Sequence, residues 1–141
     1  MPIWKDIMNL PKIAVIGSGS WGFNHVRTFY SLKNCELVCV CDLISKNLER
    51  VKKQFPDINI ENDYKKIISN PDINAVVMAT SAETHYEIAK SVLIAGKHCF
   101  VEKPITLNIN EAEELVKLAQ EKNLVLMVGH LLLYHSAVGY L

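Results

Sequence analysis

Short unbroken apolar runs alternate along this chain with longer stretches in which apolar residues recur every three or four positions. "KIAVIG" (12–17) is a run of strand length ending in glycine, and "WGFNHVRTFYSL" (21–32) after it reads as helix. "CELVCVCD" (35–42) is a second apolar strand. In "SKNLERVKKQF" (45–55), Leu48, Val51 and Phe55 stand at helical spacing, with Ser45 as the expected N-cap and the lysines on a solvated outer face. "INI" (58–60) reads as a short strand and "DYKKIIS" (63–69) as a short helix closed by Asn70-Pro71, since proline disfavours helix at the residue before it. "INAVVMAT" (73–80) is the next strand. Thr80 and Glu83 then form a T-x-x-E capping box for a helix running to Ala95, with Gly96 as its stop. "HCFVE" (98–102) is a fifth strand. Asn110 is expected to cap "EAEELVKLAQEKN", whose inward stripe is Ala112, Leu115, Val116 and Ala119, and "LVLMVG" (124–129) is a sixth strand.

Strands apolar throughout are buried on both faces, which requires parallel strands covered by helices. Six strand–helix alternations predict an α/β fold, a doubly wound parallel sheet (Rossmann fold) in a single domain, with ligands outside the carboxyl ends of the strands. The expected boundaries are an N-terminal extension over 1–10, with Trp4 on the domain surface, the sheet domain over 11–129, and the start of a connection over 130–141.

Composition narrows the function classes. Fifteen basic residues balance fifteen acidic ones in 141, so no global field draws the chain to nucleic acid or an anionic membrane. Half the residues are hydrophobic, yet no apolar span is long enough for a membrane helix, and the opening "MPIWKDIMNL" is no signal peptide. A cytoplasmic location is expected. The cysteines are Cys35, Cys39, Cys41 and Cys99, without a C-x-x-C pair. Cys39 and Cys41 share a strand face and offer half a metal site at most; the plainer reading is buried free thiols, and no metal is expected.

The chemistry gathers at strand ends. "GSGSWG" places Gly17, Gly19 and Gly22 in G-x-G-x-x-G between a strand and a helix, with Ser20 and Trp21 inside the turn. Gly17 permits the tight turn, Gly19 lets backbone approach a pyrophosphate, and Gly22 allows close helix–strand packing. The following helix offers its free N–H groups to that pyrophosphate. Asp42 ends the second strand, where a carboxylate accepts ribose hydroxyls and repels a 2′-phosphate, so NAD is expected over NADP. Methyltransferases share both features. Lys103, closing the fifth strand, separates the two: hydride transfer at a hydroxyl needs a proton-handling group beside the carbinol, and a lysine serves once burial and neighbours tune it. Pro104 holds Lys103 extended.

G-x-G-x-x-G followed by His25, then "VMATSAETHYEIAKSVLIAGKHCFVEKPITLN" and "VLMVGH", resembles the glucose–fructose oxidoreductase / inositol dehydrogenase family, Gfo/Idh/MocA, from about Pro11 to the end. The resemblance implies an N-terminal domain that binds NAD or NADP, activity on sugars, cyclitols and related compounds, and assembly as dimers or tetramers. By position, Lys103 matches the family's catalytic or substrate-orienting lysine, joined to Pro104 by a bond that is often cis. Thr80, Ser81 and His85 match the segment beside the nicotinamide ribose, and Glu102 lies near the nicotinamide end. "GHLLLYHSAV" resembles the form associated with nucleotide-sugar dehydrogenases such as UDP-N-acetylglucosamine 3-dehydrogenases, with Ser136 where a proline is usual.

The resemblance also implies a C-terminal α+β domain, which is absent from these 141 residues and would carry the partner for proton transfer and most of the substrate surface. The chain is therefore expected to be a fragment or a standalone cofactor domain, inactive alone, with homo-oligomer formation left open. Of the histidines, His25 reads as structural, holding the glycine turn, and His98 as exposed. His130 faces the crevice as a substrate contact, with Tyr134 and His135 lining the site in a longer relative. The expected function is the cofactor half of an NAD-dependent oxidoreductase acting on a sugar or nucleotide-sugar hydroxyl; the alternative is a non-catalytic NAD-binding or assembly module.

Overall fold

The computed structural model describes residues 10–140. The expected extension over 1–10, with Trp4, falls almost wholly outside them. Six strands alternate with helices in chain order: β1 (Lys12–Ile16), α1 (Gly22–Ser31), β2 (Glu36–Cys41), α2 (Ser45–Gln54), β3 (Asn59–Glu61), α3 (Tyr64–Ser69), β4 (Ala75–Met78), α4 (His85–Ile94), β5 (His98–Val101), α5 (Ile109–Glu121) and β6 (Leu126–Val128). Short 3-10 turns occupy Ala82–Thr84, Leu131–Tyr134 and Ser136–Tyr140. Every pairing is parallel, in the order β3-β2-β1-β4-β5-β6. The doubly wound parallel sheet is thus as read from the strand pattern.

Strand alternation feeds two cores. One face of the sheet, carrying Ala14, Ile16, Val76, Met78 and Val101, packs against Ile67, Ile88, Val92, Leu93, Leu115 and Ala119 of α3, α4 and α5. The other face, carrying Ile13, Val15, Val40 and Val77, packs against Val26, Leu48, Val51 and Phe55 around α1 and α2. The direction in which successive strands are added to the sheet reverses between β1 and β4, so a crevice opens at their carboxyl ends, the topological switch point where such sheets bind ligands.

Several local expectations shift. The residue flanking α2 is Ile44, not Ser45, because the Asp42 carboxylate already takes the Ile44 N–H at 2.8 Å. No Thr80–Glu83 capping box forms: a 3-10 turn intervenes, and the Thr80 hydroxyl accepts a bond from Thr84 Oγ1 at 2.8 Å. Asn108 rather than Asn110 caps α5, its Oδ1 accepting the Asn110 N–H at 2.8 Å. Val116 is 45 % exposed, so the inward stripe of α5 is narrower than its apolar spacing suggested. β6 is an edge strand of three residues with Met127 turned outward, not a strand buried on both faces.

Candidate functional site

The glycine turn is shaped by contacts that exclude side chains. Gly17 has φ +89°, and a Cβ there would lie 2.6 Å from the Ala79 carbonyl oxygen. A Cβ on Gly22 would come within 1.9 Å of the Gly17 carbonyl oxygen, so the first turn of α1 rests directly on the end of β1. Gly19 is the reverse case: its Cβ direction meets nothing within 4 Å, because it faces the open crevice. Gly17 and Gly22 serve chain packing and Gly19 leaves room for a ligand, which is the division of labour a pyrophosphate cradle requires.

Asp42 sits at the end of β2, 9 % exposed, and is engaged by the protein itself. Its Oδ2 accepts from the Ser18 N–H at 2.7 Å, the Ser18 hydroxyl at 3.1 Å and the Asn47 amide at 3.0 Å; its Oδ1 accepts the Ile44 N–H. Burial pushes this carboxyl up, but the donors from Ile44, Ser18 and Asn47 outweigh it and hold it below its ordinary value. The acid expected to read a ribose therefore also fixes the glycine turn, and only Oδ1 keeps accepting capacity to spare. Arg50 of α2, which the sequence reading did not single out, completes the brace. Its Nη2 donates to the Ser18 and Gly19 carbonyls at 2.6 and 2.9 Å, and its guanidinium stacks over Phe23 at 4.0 Å.

Two cavities flank this turn and meet at Ala79 and Thr80, just beyond β4. The first, about 410 Å³, lies over the ends of β1 and β2 and takes in Gly19, Asp42, Leu43, Ser81 and Tyr64. Leu43 and Ile44 are 87 % and 59 % exposed at its rim, an apolar lip suited to an aromatic base. The second, about 390 Å³, lies over β5 and β6 and takes in Trp21, Thr80, Glu102, Lys103, Gly129 and Leu131. Gly17, Gly19, Asp42, Thr80 and Ser81 thus gather around the first cavity, and Trp21, Thr80, Glu102 and Lys103 around the second.

Lys103 is exposed and its bond to Pro104 is cis. Glu102 beside it accepts two hydrogen bonds on one oxygen: the Trp21 indole N–H at 2.7 Å and His25 Nε2 at 2.6 Å. Its other contact is Gly129, where a Cβ would lie 2.9 Å from Glu102 Oε2, a close approach that nothing in the apolar pattern of β6 announces. His25 packs edge-on to Phe100 at 5.2 Å, tying α1 to β5. His85 is placed differently from the expectation of a ribose neighbour. It is 1 % exposed, with Nδ1 2.7 Å from the Pro104 carbonyl and Nε2 3.1 Å from the Thr80 carbonyl, so it braces the two strand-end loops from beneath. His98 is exposed and accepts the Val125 N–H at Nδ1, 3.0 Å away. His130 and Tyr134 are exposed beyond β6 and lie outside both cavity linings.

No group of three or more histidine, cysteine, aspartate or glutamate side chains among the described residues could hold a metal ion. Burial pushes Cys41 and Cys99 up to about 12 and Cys39 to about 11, so these thiols are inert packing groups. No helix of the described residues is long and apolar enough to cross a membrane.

A doubly wound sheet with a glycine cradle and paired cavities at its switch point defines a dinucleotide-binding domain. Residues 11–130 match the profile of the Gfo/Idh/MocA oxidoreductase family, NAD-binding Rossmann fold, and the chain belongs to that family. It is 31 % identical over 124 residues to the UDP-N-acetylglucosamine 3-dehydrogenase of Acidithiobacillus ferrooxidans, covering 88 % of this chain and 40 % of that protein. A glycosyl hydrolase family 109 protein of a Shewanella species is 34 % identical over 131 residues, 85 % of this chain and 28 % of its own. The structure of GenD2 from gentamicin A biosynthesis, in complex with NAD, superposes with a TM-score of 0.81 at 28 % identity over 86 % of this chain and 35 % of that one. The chain thus spans well under half the length of these relatives. Membership in an oxidoreductase family removes the methyltransferase reading.

Proposed function

We propose that this chain is the cofactor-binding half of an NAD-dependent oxidoreductase that transfers hydride at a sugar or nucleotide-sugar hydroxyl. The observation carrying the reading is the pair of cavities meeting at Thr80, with the adenosine-side chemistry of Gly19 and Asp42 in one and Lys103 in the other. In this reading residues 11–129 form the dinucleotide domain and 130–141 lead away from it. Bound NAD supplies the hydride acceptor. The chain's own part is to hold the pyrophosphate on the N–H groups of Gly19 to Gly22 and to set the adenosine ribose against Asp42 Oδ1. Thr80 and Ser81 line the path between the two ends. Lys103 Nζ, in the second cavity, would take the proton of the substrate hydroxyl. The sugar character of the substrate is supported by the dehydrogenase named above, and the preference for NAD over NADP by the carboxylate of Asp42.

The glycosyl hydrolase relative, whose name is not that of a dehydrogenase, favours a second reading, a dinucleotide-binding module that does not itself oxidise sugar. Titration calorimetry of the chain with NAD tests the first element common to both. Binding at submillimolar concentration is expected, and absence of heat up to several millimolar NAD or NADH would overturn both. Hydride transfer from any sugar by the purified chain, followed at the absorbance of NADH, would reject the second.

A further inference from the structure

A third cavity, of about 460 Å³, lies at the opposite end of the sheet from the glycine turn. It takes in Lys12, Asp72, Asn74 and His98, with Pro11 and Pro71 beside them. Lys12 opens β1, Asn74 immediately precedes β4 and His98 opens β5, so the cavity spans the amino ends of three adjacent strands. At a rise of about 3.3 Å per residue, the length of β1 separates it from Gly17 by roughly 16 Å. Hydrogen bonds lock the three strand starts to one another. Asn74 Oδ1 accepts the Lys12 N–H at 2.7 Å, and the Asn74 N–H donates to the Lys12 carbonyl at 2.9 Å. The His98 N–H donates to the Asn74 carbonyl at 3.0 Å, and His98 Nδ1 accepts the Val125 N–H at 3.0 Å. The Asp72 N–H donates to Asn70 Oδ1 at 2.9 Å, which fixes the turn that carries its carboxylate.

These bonds decide what each side chain still has to offer. Asn74, its oxygen taken, offers only its amide NH2. A ring nitrogen that accepts an N–H carries no proton, so the His98 proton sits on Nε2 and makes that atom a donor. Lys12 offers an ammonium and Asp72 a carboxylate, and neither enters an ion pair among the described residues. Lys12 and Asp72 also border a neighbouring cavity, whose charged lining is Glu36 and the Glu61–Lys66 pair, already closed at 2.8 Å. The third cavity thus presents three donors, one of them cationic, and one anionic acceptor. Its complement is a small zwitterion, with a carboxylate to receive from Lys12, Asn74 and His98 and an ammonium to donate to Asp72. A phosphate would gain the donors but meet the Asp72 charge, and a simple amine would meet the Lys12 charge. We infer that this cavity is a binding site for a free α-amino acid, away from the cofactor cavities and independent of the dinucleotide reading. The frame is set before the ligand arrives, so little ordering cost is left to binding.

The test is a titration of the purified chain followed in amide correlation NMR spectra. The probes are L-alanine and, separately, sodium acetate and ethylammonium chloride, each of which carries one half of the zwitterion. L-Alanine should shift the amide signals of Lys12, Asn74, His98 and Val125 with a Kd on the order of 1 mM. That is roughly tenfold tighter than either half. The signals of the glycine turn, Gly17 to Gly22, should not move. Asp72→Asn should bring L-alanine down to the affinity of acetate and leave acetate within about 2-fold, whereas Lys12→Met should weaken both. If L-alanine moves nothing at roughly a hundredfold above the expected Kd, or moves the glycine turn instead, the inference falls. It falls too if acetate binds as tightly as L-alanine, since the cavity then takes an oxyanion only. Wild-type affinity for L-alanine in a folded Asp72→Asn variant also overturns it. Should a variant fail to fold, the three probes on the wild type decide the matter alone.

Discussion

Replacing Asp42 with alanine measures how much of the glycine turn hangs on one carboxylate. In the wild type that group receives four hydrogen bonds, two from Ser18 and one each from Ile44 and Asn47. Ser18 is fully buried, so alanine at 42 strands its N–H with no acceptor and no route to water. An unpaired buried donor costs about 1–3 kcal/mol. The Ile44 and Asn47 donors lie nearer solvent and add about 1 kcal/mol between them, giving about 2–4 kcal/mol in all. At about 4 °C per kcal/mol for a chain of this size, the thermal midpoint should drop by roughly 8–16 °C. Urea unfolding should show a lower midpoint at unchanged slope, and Asp42→Asn, which keeps one acceptor oxygen, should lose about half as much. The pH dependence follows in sign. The carboxyl is held below its ordinary value of 3.8, so its contribution is fully present above that value and is lost as pH falls through the lowered one. The stability gap between wild type and Asp42→Ala should therefore be flat at neutral pH and shrink below about pH 4. An alanine variant within about 0.5 kcal/mol of wild type at pH 7, or a gap that widens on acidification, would refute the reasoning.

The two glycines of the turn should separate folding from binding. Gly22→Ala drives a Cβ to 1.9 Å from the Gly17 carbonyl oxygen and should cost about 3 kcal/mol or more in urea unfolding. Gly19→Ala points into open space; it should unfold like wild type yet lose NAD affinity roughly tenfold in calorimetry, since the methyl takes the pyrophosphate's approach. Lys97, 4 % exposed, donates to the Asn70 and Ile73 carbonyls at 2.6 and 2.9 Å, so Lys97→Met should destabilise by about 1–3 kcal/mol by urea titration. Lys103→Ala, at an exposed residue, should leave the unfolding midpoint unchanged and NAD affinity within about 3-fold, while abolishing proton transfer in a longer protein that contains this domain and turns over sugar.

How much of this was legible in the chain depends on the range of the contact involved. The succession of strands and helices and the parallel sheet could be argued because each strand is a local apolar run and each crossover a local helix. Gly17, Gly19 and Gly22 could be assigned roles because all three act within one turn. Asn110 was preferred to Asn108 as the cap of α5 because both are good caps two residues apart, and only the backbone decides which one begins the helix. Lys97 shows the opposite limit. A lysine after a helix-stopping glycine reads as solvent-facing, yet its ammonium caps carbonyls on a loop 24 and 27 residues earlier. No local pattern carries that information.

The Trp21–Glu102–His25 unit is the same limit at the site itself. Its members are separated by 77 and 81 residues and become neighbours only because β5 lies two places from β1 in the sheet. Motif reading assigned Glu102 to the nicotinamide end and His25 to the glycine turn as two separate facts. The geometry makes them one: a single carboxylate oxygen joins the cradle that would hold the phosphates to the strand end that presents Lys103. A displacement of α1 relative to β5 would change the spacing of cradle and lysine, and these two bonds oppose it. A dinucleotide is flexible between its pyrophosphate and its reactive end, so a protein that presents both subsites gains from a tie that holds them at one spacing. The E-K-P sequence supplies that tie through its first residue, Glu102, and in the proposed function its second, Lys103, would handle the proton.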